Sequence, residues 1–179
     1  MSPMTHALIS YFQRLPAESP AVRRRTLDAT RERVRAGREP PAALVPFALG
    51  DVDDGIVVAA TQAYAEAILR SHEHGAARTA ALNEVTEWVR RGLAINRGAV
   101  FGALLALEDE RIEERLGALR LGLSAAEIEV ACRALGPAPG PRAAAFLADW
   151  LELIADGALQ RERRVLSSVL EAGRRTRAA

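Results

Sequence analysis

Apolar residues recur at three- and four-residue intervals through nearly the whole chain, and runs alternating apolar with polar are scarce. A period near 3.6 gathers such residues on one face of an α-helix, whereas a half-buried strand needs a period of two. The pattern predicts an all-α protein. Its clearest stretch is 76–95, where Leu82, Val85, Val89 and Leu93 share one face and Glu84, Glu87, Arg90 and Arg91 occupy the others. Gly98 to Leu107 is the longest apolar run, and Ile112, Leu116, Leu119 and Leu123 carry the spacing into a helix that starts at 108–111. Alanine dominates many of these segments, which favours helix and lets neighbouring helices approach closely.

The breaks between segments follow helix-end chemistry. "LPAESPA" (15–21) separates a short helix at about 7–15 from a longer one at about 21–36, with Ser19 as cap and Pro20 in the first turn. Gly37 ends that helix, and a proline pair precedes the next, at about 41–49. "GDVDDG" (50–55) leads into a helix at 56–70, and "SHEHG" (71–75) punctuates again. Ser124 and Glu127 stand at capping-box spacing, and the helix they start ends at Gly136. "GPAPGP" (136–141) is the strongest linker and marks a possible sub-boundary in one domain spanning 1–179. Helices at about 142–156 and 158–173 follow, and the tail 174–179 is expected to fray.

A unit of helix, short acidic or proline-containing turn, and helix recurs. "ISYFQRLPAESPAVRRRTLDAT" (9–30) aligns with "LVPFALGDVDDGIVVAATQAYA" (44–65), setting Val22 over Ile56 and Phe12 near Phe47. "FGALLALEDERIEERLGALRLG" (101–122) repeats the form with Ile112, and 144–172 is a weaker fourth copy. These stretches resemble the HEAT-like repeat family, in which antiparallel helix pairs stack into a short α-solenoid and the second helix of a pair follows an Asp-containing turn. An irregular multi-helix bundle is the alternative. A single helix pair cannot bury its apolar faces alone, so stacking on neighbours is the physical requirement behind such arrays.

Composition narrows the functional classes. The 179 residues are 49% hydrophobic, enough for a sizeable core, and 24 basic against 23 acidic residues leave a net charge of +1. No global field draws this chain to nucleic acid or an anionic membrane. Every base is arginine, and the abundance of Ala, Leu, Gly and Pro points to a GC-rich coding bias, so arginine in place of lysine carries little functional information. One cysteine, Cys132, excludes an internal disulfide and fits a core thiol in a reducing compartment. With no signal-like leader and no apolar run near 20 residues, a cytoplasmic protein without a membrane partner is expected.

Candidate chemistry is thin. "DVDDG" lacks the ligand count of a calcium loop, and Asp51, Asp53 and Asp54 are expected to serve the positive end of the following helix. Glu108, Asp109 and Glu110 are read in the same way. His72 and His74 alternate around Glu73 and would point apart on a helix, and His6 is isolated, so no metal site is expected. There is no nucleophile motif and no phosphate loop, hence no catalytic residue and no cofactor is assigned. Trp88, Trp150 and Tyr64 fit core positions.

Charge is distributed unevenly. Residues 14–38 carry eight Arg against three acids, 39–66 carry five acids and no Arg, and 158–179 carry six Arg against two acids. Arg24, Arg31 and Arg35 fall on one helical stripe, and with Arg38, Gln62, Glu66 and Arg70 they form the candidate interaction surface. The bland reading is that these arginines solvate a helix and pair with acids of the next unit. The function expected is that of a non-catalytic adaptor or scaffold holding another protein. The alternatives are a nucleic-acid-binding protein or DNA-repair glycosylase, as some HEAT-like proteins are, and a homo-oligomer joined through Ala-rich faces at 98–107 or 142–148.

Overall fold

The structure, a computed structural model, describes residues 18–71, 76–136 and 138–153. The segments expected at 7–15, 158–173 and 174–179, together with Phe12, His6 and the His72 to His74 turn, lie outside them. Every regular element among the described residues is helical: α1 (Pro20–Arg35), a 3₁₀ turn (Pro41–Leu44) leading into α2 (Val45–Gly50), α3 (Asp54–Ser71), α4 (Ala76–Arg90), α5 (Arg97–Leu105), α6 (Glu110–Leu119) with a 3₁₀ turn (Arg120–Gly122), α7 (Ala125–Ala134) and α8 (Pro141–Leu153).

Local chemistry sets most of the ends. The Ser19 hydroxyl accepts from the Val22 amide, Pro20 opens α1, and Gly37 follows its end at φ 68. Ser124 and Glu127 form both bonds of the capping box on α7, and Gly136 follows it at φ 74. Asp109 caps α6 by accepting from Arg111 and Ile112. Glu108 lies at φ 57, and its carboxylate accepts from the amides of Arg142 (2.8 Å) and Ala143 (3.0 Å). One acidic run thus caps two helices.

Three elements depart from the sequence pattern. The helix expected at 41–49 is divided, because Pro46 has no amide to donate and its ring crowds the carbonyl four residues back; Pro41–Leu44 closes as a 3₁₀ turn instead. The helix expected at 76–95 stops at Arg90, with Gly92 at φ 64, so Leu93 leaves the apolar face and is exposed. Leu123 is buried but stands beyond α6, after a tighter turn.

α1 packs on α3, α3 on α5 and α5 on α7, while α4 packs on α6 and α6 on α8; α2 lies against α3. Arg23 and Arg24, early in α1, meet Asp51 and Asp53 just before α3. Asn96, the cap of α5, meets Asp54 at the start of α3, and Arg97 meets Glu127 early in α7. The starts of those four helices thus adjoin one another in succession. Arg142 at the start of α8 likewise reaches Glu110 and Glu113 at the start of α6.

One continuous core runs from Leu27 to Trp150. Its centre is α5, in which every residue from Gly98 to Leu105 is buried; it touches α3, α4, α6 and α7, and Phe101 meets Phe146 and Trp150 of α8. Residues 98–105 of the Ala-rich face are therefore interior, with Ala106 and Leu107 half-buried. Trp88, 1% exposed, stacks at a tilt on Tyr64 with ring centres 5.0 Å apart. Val22 is 43% exposed where Ile56 is 1% exposed, so the 34-residue alignment does not pair equivalent positions.

Candidate interaction surface

The turn at 50–55 is a junction. Asp51 is fully buried, and both its oxygens accept from Arg23, from Nε at 2.8 Å and Nη2 at 3.1 Å; it also accepts from the Asp53 amide at 2.9 Å. Arg23 donates a further bond to the Glu18 carbonyl. Asp53 accepts from the Ile56 amide at 3.1 Å and lies 3.5 Å from Arg24. Asp54 accepts from Asn96 at 2.6 Å and is 3.4 Å from Arg133 of α7. Of the three carboxylates expected to serve the helix end, Asp53 caps it through a hydrogen bond. Asp51 is instead the buried counter-ion of α1, because an arginine taken out of water must meet a carboxylate. No group of three His, Cys, Asp or Glu that could hold a metal ion occurs among the described residues.

The residues singled out from the charge pattern fall along α1 and α3. The Arg24 guanidinium lies against Gly55, close enough that a Cβ there would collide with it. Arg31 and Arg35 follow Arg24 at the same helical intervals as Gln62 and Glu66 follow Gly55. The two stripes thus lie on the two helices that meet where Arg24 reaches Gly55. Arg24 is exposed and Arg31 half-buried; Arg31 pairs with Asp28 at 3.5 Å, and its Nε is buried with no hydrogen-bond partner. Arg70 pairs with Glu66 at 3.6 Å, and Gln62 is half-buried. Arg35 and Arg38 are exposed. The stripe is partly neutralised from within, since Arg23, Arg24, Arg31 and Arg33 each meet a carboxylate.

Sequence reasoning missed an apolar edge. The large apolar side chains exposed among the described residues are Val22 (43%), Val52 (65%), Leu93 (50%) and Ile95 (54%). Val22, Val52 and Ile95 sit on segments tied to the 50–55 turn, and Leu93 stands two residues before Ile95. Val22 precedes Arg23, Val52 lies between the two bonded aspartates, and Ile95 donates its amide to the Leu49 carbonyl at 2.9 Å beside the Asn96 bond to Asp54. A lone valine between carboxylates was the available signal for Val52. Leu93 was hidden by its helical spacing from Val89.

A cleft of about 490 Å³ opens between α4 and α6, lined by Asn83, Thr86, Glu87, Arg90, Arg115, Ala118 and Leu119. Hydrogen bonds from Arg90, and then from Arg91, hold the Glu87 carboxyl down at about 2. Elsewhere, burial and then Glu129 push the Cys132 thiol up to about 11, so it stays protonated and unreactive at neutral pH. No helix among the described residues is long and apolar enough to cross a membrane. No protein-family model, curated protein or solved structure matches the chain.

Proposed function

We propose that the protein is a non-catalytic adaptor, a short HEAT-like α-solenoid that holds another protein at the end of its array where the 50–55 turn lies. The observation that carries this reading is the apolar edge of Val22, Val52, Leu93 and Ile95. These side chains face water on segments fixed by a buried ion pair and by backbone bonds, so their exposure is built into the fold rather than a result of loose packing. Exposed apolar side chains gathered at one place mark contact surfaces. The polar residues Arg24, Arg31, Arg35, Arg38, Gln62, Glu66 and Arg70 would supply a polar rim, with Arg24 reaching the 50–55 turn at Asp53. The alternation of two rows, α1, α3, α5 and α7 against α4, α6 and α8, supports the solenoid reading.

The internal pairing of Arg23, Arg24, Arg31 and Arg33 weighs against nucleic acid, because a guanidinium that already meets a carboxylate gains less from a phosphate. The test is capture from the native host by immobilised full-length protein, compared with Val52→Asp plus Ile95→Asp. The adaptor reading expects a stoichiometric protein partner that the double variant loses while its melting temperature holds. Equal capture by both would overturn it. So would a low-salt mobility shift of duplex DNA abolished by Arg24→Glu plus Arg31→Glu.

A further inference from the structure

We propose that the cleft between α4 and α6 seats an acidic peptide segment, one carboxylate of which pairs with Arg115 while an adjacent apolar side chain rests on Ala118 and Leu119. This deepens the adaptor reading and rests on it, but the site it names shares no residue with the apolar edge.

Arg115 is half-buried in the cleft wall, and its Nη1 donates to the Arg111 carbonyl at 3.0 Å, which orients the guanidinium. No carboxylate of the described residues lies within ion-pair distance of it, although its helix carries Glu110, Glu113 and Glu114. Across the cleft, Glu87 is engaged by both Arg90 and Arg91. Of the two guanidiniums that line the cleft, Arg90 is thus taken up by Glu87, and Arg115 is left with no carboxylate beside it among the described residues. Arginine presents a planar fork that matches a carboxylate in a two-bond arrangement. Asn83 lies on the opposite wall, and its side-chain amide makes no hydrogen bond to the described residues, so it is free to pair with a peptide backbone.

Size and shape agree with the assignment. A space of about 490 Å³ falls within the roughly 300–1,000 Å³ of ligand clefts, and this one lies open along two neighbouring helices rather than closing into a chamber. An extended segment of two or three residues fits such a trough. Arg115, with no counter-ion among the described residues, balances a single carboxylate, whereas a phosphate dianion would call for a second such cation.

The test uses the full chain labelled with ¹⁵N and a blocked hexapeptide carrying glutamate beside leucine, with its glutamine counterpart as control. The expected result is that the glutamate peptide shifts the amides of Asn83, Thr86 and Leu119 and binds measurably by calorimetry. Affinity should weaken as salt is raised and fall about tenfold or more with Arg115→Gln, as loss of a charged hydrogen bond requires. Arg111→Gln, on the same helix but outside the cleft lining, should bind as wild type. Equal binding of the glutamine peptide, unchanged affinity in Arg115→Gln, or stronger competition by inorganic phosphate than by acetate would each overturn the proposal. Failure here with partner capture intact would leave the adaptor reading standing. Loss of capture with peptide binding intact would remove the adaptor reading alone.

Discussion

Gly98 lies directly against the backbone of Glu127, with no room between them for a methyl group. A Cβ on Gly98 would stand 3.0 Å from the Glu127 Cα and nearer still to its carbonyl, and one turn on, Gly102 stands in the same relation to Ala131. The spacing Gly-x-x-x-Gly lets α5 and α7 touch through their main chains. Gly98→Ala and Gly102→Ala are each expected to destabilise the protein by about 1–3 kcal/mol in urea melts, as overpacking does. Gly117, inside α6 with nothing near its would-be Cβ, should respond in the opposite sense. Gly117→Ala is expected to gain about 1 kcal/mol from helix propensity.

Asp51 offers a second contrast. Asp51→Ala strands the buried Arg23 and is expected to cost about 3–5 kcal/mol, read as a drop in the denaturation midpoint. Asp53→Ala removes an exposed-edge cap and should cost about 1 kcal/mol. A double replacement, Arg23→Met plus Asp51→Leu, should recover much of the loss, since the penalty arises from one unpaired charge and not from the absence of the pair.

Capping on the far side can be checked in the same way. Ser124→Ala breaks the capping box of α7 and should cost about 1 kcal/mol. Glu108→Gln keeps an acceptor for only one of the Arg142 and Ala143 amides and removes the charge, yet it should still cost less than Glu108→Ala, which keeps neither bond.

The alkaline limb of stability has a definite sign. Burial, and secondarily Glu84, pushes the Tyr64 phenol up to about 12 from 10.0, so the folded state holds the proton more tightly than the unfolded chain does. The associated stability is complete below pH 10 and is lost as pH rises toward 12. Cys132 acts in the same direction from pH 9 toward 11. A Tyr64→Phe variant should therefore lose less stability than wild type between pH 10 and 12, by up to about 2–3 kcal/mol. Glu87 has the opposite sign. Held down at about 2 by Arg90 and Arg91, it favours the folded state above pH 4.5, and that benefit fades as pH falls toward 2. Glu87→Gln should flatten the acid limb of the melting curve.

What could be read from the sequence was local. Ser19 with Pro20, Gly37, the pair Ser124 and Glu127, and Gly136 each set a helix end through bonds to residues a few positions away, and each does so in the structure. The helical period also located Trp88 and Trp150 in the core. Pro46 and Gly92 were equally visible but were outweighed by the apolar spacing around them. The period reports only which residues prefer to leave water, not whether the backbone can continue. Long-range pairing was out of reach. Nothing in "AVRRRT" distinguishes Arg23, which is buried against Asp51, from Arg24 and Arg25, which are exposed, because the choice is made by a turn 28 residues away. The apolar edge stayed hidden for a related reason: it is assembled from three segments, each contributing one or two residues too few to form a pattern.

The enclosure of α5 also limits how this chain can vary. In an ideal repeat protein, units are interchangeable, and one can be deleted or duplicated while the rest close ranks. Here the fifth helix has no face left to give to water, so excising α3 or α7 would strip it bare on one flank. Evolution and protein engineers alike are then confined to the rim, where segments can lengthen or change without opening the middle.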